Sequence, residues 1–308
     1  MRLRAVWWRF GLLPAVVLLA SAVTVEGQGA GSDATTVLRV TPGPRALALG
    51  GALVAVRDPF ATEYNPASAP VSGVAVSYQG LPVGASAGAA ASSFGLSGGV
   101  ATVSLRFVDY GTVDVVEEAE GPVGRPTGGT ATGGELTALA AYSLAWGPAR
   151  LGVAGRWLSM EVAGLSDHAL SADAGLLVAL PGALAVGASV QNLGGTMEAG
   201  RESALPRTLR AGARASRRFG AVDALLAVEG RRRESRTALG LGLEVGTGGE
   251  DFRLEGRLGY GTRAAPGDAY SRFVFGGGVR VGPVSVDFGY RALGPLGSTR
   301  QLGLAYRF

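Results

Sequence analysis

The sequence predicts an all-β fold, an antiparallel transmembrane β-barrel of about fourteen strands, and three observations predict it. Through most of the chain apolar and polar residues alternate with period two, as in a strand whose two faces meet different surroundings. Charged residues make up only 17 % of the 308 positions, against roughly a quarter in an ordinary soluble domain. The chain also ends on one amphipathic strand: Leu302, Leu304, Tyr306 and Phe308 share a face opposite Gln301, Gly303, Ala305 and Arg307. A strand that presents apolar side chains to lipid and small or polar ones to a lumen has this pattern. A terminal Phe308 preceded by Tyr306 also resembles the signal by which outer-membrane barrels are recognised for insertion.

The first 27 residues read as a signal peptide. Arg2, Arg4 and Arg9 form a positive start, Leu12 to Val25 an apolar stretch, and Ala20-Ser21-Ala22 a candidate cleavage site; cleavage just before Gln28 competes with it. The apolar stretch is short for a retained membrane helix, and nothing downstream reaches about 18 uninterrupted apolar residues. Export to the outer membrane follows. The formal net charge of +4 falls to about +1 without those three arginines, so the basic balance says little about partners. Cysteine is absent, which leaves hydrogen bonding and packing to hold an exported chain together. All basic residues except His168 are Arg, and the 51 glycines suit strands whose inner face must be small.

Strands are expected at about 74–81, 84–94, 98–109, 134–146, 149–161, 169–180 and 183–194, then at 206–218, 220–231, 235–247, 251–262, 271–282, 283–292 and 299–308. In Phe252 to Tyr260 the even positions are apolar or Gly, while Arg253, Glu255 and Arg257 take the odd ones. Leu239, Leu241, Leu243 and Val245 oppose Gly240, Gly242 and Glu244; Arg210, Gly212, Arg214 and Ser216 oppose Leu209, Ala211, Ala213 and Ala215. A helical period would scatter these charges around a circumference. Gly147-Pro148, Pro181-Gly182, Phe219-Gly220 and Gly282-Pro283 mark tight turns. Longer connections are expected at Glu117–Gly134, Gly164–His168, Gly194–Pro206, Arg263–Ser271 and Leu293–Ser298. Short turns alternating with long loops fit an outer-membrane barrel, with the long loops outside. A soluble β-sandwich is the alternative, disfavoured by the length and number of the strands.

Residues 36–72 break the alternation. Gly43-Pro44-Arg45-Ala46-Leu47-Ala48-Leu49-Gly50-Gly51-Ala52 is followed by Arg57-Asp58-Pro59 and by Tyr64-Asn65-Pro66-Ala67-Ser68. This block resembles the N-terminal region of the PorV/PorQ-like outer-membrane proteins, which are similar to the FadL-type fatty-acid transporters. Val190 to Gly194, Leu205 to Arg210, and Gly289-Tyr290 through Leu293 to Thr299 and the terminal Phe308 resemble that family's second half, so the likeness spans about residues 36–308. It implies a plug, or hatch, inside the barrel: residues 28–72 as plug and 73–308 as barrel, with Gly43, Pro44, Arg45, Gly50, Gly51, Asn65, Pro66 and Ala67 as the plug motif. The family often carries an acidic pair where this chain has Asp58-Pro59, so a plug contact made by that pair is not carried over. Physically, Gly50-Gly51 permits close backbone approach and Asn65-Pro66 fixes a turn.

A plug needs polar partners on the wall. The inward face of the strands offers Arg210, Arg214, Glu244, Arg253, Glu255, Arg257, Arg280, Asp287 and Arg291, with Arg156, Asp173, Arg218, Asp223 and Glu229 beside them. Mixed signs favour ion-pair networks around a plug over an ion-selective pore. Arg45 is expected either against a lumen carboxylate such as Asp287 or Glu255, or capping a turn at the periplasmic rim.

Catalytic chemistry finds no support. The one histidine, His168, is expected in an exposed loop beside Ser166 and Asp167, and sequence neighbours do not converge as a triad. Histidine and cysteine are too few for a metal cluster, Glu117-Glu118 reads as solvated, and no cofactor motif is present. Arg231-Arg232-Arg233 and Arg217-Arg218 fall where strands turn and lack the features of nucleic-acid binding. Expected partners are outer-membrane lipid, the barrel-assembly machinery, and either secretion-system proteins or a hydrophobic ligand. The PorV/PorQ resemblance implies a docking or transport role of the type IX secretion kind; a FadL-like transporter of hydrophobic small molecules is the alternative.

Overall fold

The computed structural model describes residues 35–70, 72–117, 125–197, 203–234, 236–262 and 271–308; the expected signal peptide lies outside them. The wall is built from β1 (Gly73–Gly80), β2 (Ser86–Leu96), β3 (Gly99–Glu117), β4 (Arg125–Trp146), β5 (Ala149–Val162), β6 (Leu165–Leu180) and β7 (Leu184–Leu193). After a small ribbon, β8 (Thr196–Met197) with β9 (Ser203–Ala204), it continues with β10 (Thr208–Phe219), β11 (Val222–Arg233), β12 (Arg236–Gly248), β13 (Phe252–Gly261), β14 (Phe273–Val281), β15 (Val284–Ala292) and β16 (Ser298–Tyr306). Fourteen antiparallel strands close on themselves, β1 pairing with β16 from Val74 opposite Tyr306 to Gly80 opposite Arg300. Closure leaves no strand edge unpaired, which the hydrocarbon region demands of any β-structure that crosses it.

Alternation sets what each face meets. In β1 burial flips at every residue, Ala75, Ser77 and Gln79 inward, Val74, Val76 and Tyr78 outward. Leu239, Leu241 and Leu243, Leu254 and Leu258, Val286 and Phe288, and Leu302 and Leu304 continue this outward apolar surface around the barrel. A closed barrel wearing such a band is an outer-membrane barrel. No helix among the described residues is long and apolar enough to cross a membrane.

One end of the barrel carries the tight turns and the chain's exit from β16, and is taken as periplasmic. At Ser97-Gly98 both turn residues have positive φ, 47° and 80°, the combination whose twist matches that of the flanking strands. At the other end the connections are more varied than expected. Gly164–His168 is not a long loop: β5 and β6 are joined at Ala163-Gly164, and His168 lies within β6 opposite Ser159. Glu117–Gly134 is largely strand, because β3 and β4 continue their pairing past two register shifts to Glu117 opposite Arg125. Alternation fades there into Gly and Thr, which hid the extension. Gly194–Pro206 holds the β8–β9 ribbon and Leu293–Ser298 a short 3-10 turn, while most of Arg263–Ser271 lies outside the described residues.

Residues 35–70 lie inside the barrel. Pro44–Ala48 forms one helical turn, α1, with Pro44 at its start, where a missing N–H costs nothing. Two 3-10 turns follow, Ala61–Glu63 and Pro66–Ser68, the second capped by Asn65, whose side chain accepts from the Ala67 N–H at 3.0 Å. Ala46, Leu49, Leu53, Val56 and Tyr64 form a buried apolar cluster with Ala227 of β11. From Pro44 to Ala67 the segment tracks around the inner wall, and the wall meets it with glycine. A Cβ added to Gly276 would stand 2.4 Å from the Ala48 Cβ, one on Gly259 2.3 Å from the Gly50 nitrogen, and one on Gly187 2.3 Å from the Val54 oxygen. Gly175 and Gly152 seat Asn65 and Pro66 in the same way, at 1.9 and 2.4 Å. This belt accounts for many of the chain's glycines: without Cβ atoms the wall admits a second layer of backbone.

Candidate functional site

Around the belt, the inner segment's polar groups meet charged side chains from the wall. Arg45 donates to both oxygens of Glu244 in β12, at 2.7 and 2.8 Å, and reaches Asp58 at 3.4 Å and the Arg57 carbonyl at 3.1 Å. The expected partners Asp287 and Glu255 are therefore corrected to Glu244. The reason is register: Glu244 pairs directly with Arg257 of β13, and Arg257 occupies the other two carboxylates. Its Nε lies 2.6 Å from Glu244, and its two terminal nitrogens bond Asp287 and Glu255. Arg253 completes this cluster by joining Glu255 at 2.8 Å to Asp223 at 2.6 Å.

A second cluster centres on Glu63 of the inner segment. Its carboxylate accepts from Ser104 at 2.6 Å, Arg106 at 3.1 Å and Arg156 at 2.8 Å, and Arg156 continues to Asp173 at 3.1 Å. Arg106 also donates to the carbonyls of Val37 and Val40. Buried charge is sustained only when paired and hydrogen-bonded in this manner.

Two further carboxylates hold backbone. Glu229 accepts the N–H groups of Leu53 and Val54 at 2.9 and 2.8 Å and the guanidinium of Arg210, which also bonds Gln191 and lies 4.6 Å over the Tyr64 ring. Glu135 accepts those of Thr36 and Val37 at 2.8 and 2.7 Å. Asn65 donates to the carbonyls of Val54 and Leu176, at 2.8 and 3.0 Å.

Of the wall charges expected from sequence, Arg210, Glu244, Arg253, Glu255, Arg257 and Asp287 thus enter networks, all but Arg210 in the one cluster around Arg257. Arg214 bonds the Ala55 carbonyl at 3.0 Å. Arg280 faces the periplasmic chamber and Arg291 the outer one. Gly43 packs against the Phe60 ring and Pro44 against Gly303. Gly50, with φ of 67°, rests against the carbonyls of Tyr260 and Leu241, and Gly51 has φ of 82°. Tyr306 and Phe308 sit on the outer surface, ring centroids 6.3 Å apart, Phe308 beyond the end of β16. Sequence reasoning missed Glu63, Arg106 and Glu135. The parity of Arg106 and Glu135 along β3 and β4 was available as a signal; for Glu63, in an irregular segment, none was.

The inner segment separates two chambers. The outer one, about 470 Å³, is lined by leucines including Leu38, Leu47, Leu81 and Leu293 and by a majority of arginines among its charged groups. The periplasmic one, about 670 Å³, is lined by Arg45, Arg57, Asp58, Phe60 and the Arg253–Asp287 wall. No lining residue belongs to both.

No protein-family model matches the chain, and no curated protein matches it by sequence. Solved structures do. The Pseudomonas putida toluene transporter TodX superposes with a TM-score of 0.58 at 12 % identity, covering 88 % of this chain and 98 % of its own. The Ralstonia pickettii toluene transporter TbuX gives 0.56 at 12 %, over 86 % and 98 %. A Pseudomonas aeruginosa FadL homologue gives 0.55 at 10 %, over 87 % and 99 %. At such identities the likeness is one of fold, and the chain has the barrel fold of these FadL-type outer-membrane transporters.

Proposed function

We propose that this barrel carries hydrophobic or amphipathic small molecules across the outer membrane, with residues 43–69 acting as its plug. The carrying observation is the division of the lumen into two chambers by that segment, inside a fold shared with hydrocarbon transporters. A molecule entering from outside meets a chamber with leucine walls and, among its charged groups, eight arginines against Glu63 and Glu229. Such a lining suits an apolar body with an anionic end. Passage to the periplasmic chamber then requires the segment to shift, and the polar contacts at Glu244, Glu229 and Glu63 are the ones it would break.

The PorV/PorQ docking role gains nothing from the structural neighbours, which are transporters and channels; they favour the FadL-like alternative. Mass spectrometry of the protein purified from its native membrane tests the choice. A bound hydrophobic or amphipathic molecule, together with uptake that depends on the protein, is the expected result. Stoichiometric protein partners with no such ligand and no uptake would overturn it in favour of docking.

A further inference from the structure

Arg210 stands where the outer chamber meets the inner segment. It lines the chamber, and each of its contacts leads back to that segment. One terminal nitrogen bonds Glu229, whose other oxygen holds the Leu53 and Val54 N–H groups at 2.9 and 2.8 Å. Its Nε donates to the Gln191 side chain at 2.7 Å, and Gln191 in turn donates to the Glu63 carbonyl at 2.8 Å. The guanidinium lies 4.6 Å from the centre of the Tyr64 ring. Its second terminal nitrogen makes no hydrogen bond with a described residue.

The residue directly opposite Arg210 in the β10–β11 ladder is Arg231. Parity turns it inward with Ala227 and Glu229, and it lines the same chamber. Like charges set directly across a strand pair repel, and Glu229 offsets only one of the two. That carboxylate has little left to give: Leu53, Val54 and Arg210 fill most of its about four acceptor positions. Among the described residues Arg231 forms no hydrogen bond and no ion pair. Two opposed strands thus present unused guanidinium donors to one chamber, beside a net positive charge. A carboxylate is a group such donors bind well.

We infer that Arg231, with the unused nitrogen of Arg210, docks a carboxylate in the outer chamber, and that its occupation loosens Leu53 and Val54 through Arg210 and Glu229. A carboxylate drawn onto Arg210 shares the guanidinium on which Glu229 depends. Glu229 is 2 % exposed, and a buried carboxylate that loses its cation is costly. The strain falls on the backbone that Glu229 holds. The choice of an amphiphile's carboxylate rests on the transport reading; docking and coupling are measured without transport.

Calorimetric titration of the full-length protein in detergent with hexanoate, and separately with hexanol, tests the dock. Wild type should bind hexanoate more tightly than hexanol. Arg231→Gln breaks no hydrogen bond to a described residue, so the barrel should fold. It should weaken hexanoate about tenfold or more, as loss of a charge-assisted bond does, and leave hexanol unchanged. Arg231→Lys should retain most of the binding. Hydrogen exchange tests the coupling: saturating hexanoate should speed the Leu53 and Val54 amides several-fold while the β10–β11 ladder stays protected. In Glu229→Gln those amides should exchange fast already, and hexanoate should add little. If that variant fails to show the heat-shifted mobility of a folded barrel, Arg231→Gln carries the coupling test, because hexanoate at the same concentration should no longer speed them. Hexanoate binding indifferent to Arg231→Gln, or bound hexanoate that leaves Leu53 and Val54 unchanged or slower, would overturn the inference. Protein-dependent uptake of a neutral hydrocarbon alongside either of those results would leave the transport reading standing. Docking and coupling both observed without any uptake would count against that reading instead.

Discussion

Arg45 and Glu244 are separated by 199 residues, yet they form a two-pronged ion pair, at 2.7 and 2.8 Å, that fastens the inner segment to β12. Glu244 is shared with Arg257, which keeps Asp287 and Glu255 as further partners. Arg45 has in reserve the longer contacts to Asp58 and to the Arg57 carbonyl, both within its own segment. The pair therefore matters more to the segment than to the wall.

Glu244→Gln should loosen α1 while leaving the barrel closed. Losing charge-assisted bonds of this kind costs about 1.5–3 kcal/mol. Hydrogen exchange at residues 45–52 should accelerate accordingly, with the β12 and β13 ladders unchanged. Equal acceleration in segment and wall would show that the pair holds the barrel rather than the inner segment.

The glycine belt makes a sharper claim, because it concerns atoms that are absent. Gly187→Ala puts a Cβ about 2.3 Å from the Val54 oxygen and Gly259→Ala one as close to the Gly50 nitrogen. Gly155 and Gly256 have nothing within 4 Å of that position. The first two substitutions should displace the inner segment at a cost of about 1–3 kcal/mol, the usual penalty for overpacking, and raise ion conductance in planar bilayers. Gly155→Ala and Gly256→Ala should conduct like wild type.

Deleting Phe308 should lower the fraction of protein recovered as folded, heat-modifiable barrel in outer-membrane fractions. Phe308 lies beyond β16 and packs no core; it is two-thirds exposed beside Tyr306. A loss of assembly without a loss of thermal stability in the molecules that do insert separates a signal from a structural brace. Normal insertion of the deletion variant would remove Phe308 from that role.

These contacts divide by how far along the chain their cause lies. The wall was legible because alternation is local: Arg253, Glu255 and Arg257 fall on one parity within one strand, opposite Leu254 and Leu258, and need no partner strand to do so. The tight turns were legible for the same reason, since Gly147-Pro148 and Gly282-Pro283 punctuate without outside help. The partner of Arg45 was not, because choosing Glu244 over Asp287 requires the register of β12 on β13 on β14, and Arg257 wins those two carboxylates by its place in that register. Gly240 and Gly242 could be put on the lumen side by parity, but that they seat Gly50 and Leu49 depends on the path of a segment with no period of its own. Glu63 was lost on the same ground. The extension of β3 and β4 was lost because Gly128, Gly129, Gly133 and Gly134 erase the alternation that would have shown it.

The contact most open to a decisive test joins the segment's Asn65 to the wall's Gly175. Asn65 works in both directions: its amide nitrogen donates to the Val54 and Leu176 carbonyls, and its oxygen accepts from the Ala67 N–H. Asp in its place would face two carbonyl oxygens with a negative charge and no donor, so Asn65→Asp should destabilise the seated segment more than Asn65→Ala does. Gly175→Ala should be as damaging, because its Cβ would stand 1.9 Å from the Asn65 oxygen. If that oxygen is the chief obstacle, removing it should make the new methyl tolerable. The double variant Asn65→Ala/Gly175→Ala should then cost less than the two single costs added, with a coupling of about 0.5–3 kcal/mol. Hydrogen exchange of residues 53–68 measures all three variants on one scale. Strict additivity would mean that the Pro66 ring, 3.0 Å from the same position, sets the spacing, and that Gly175 is there for the proline rather than for the asparagine.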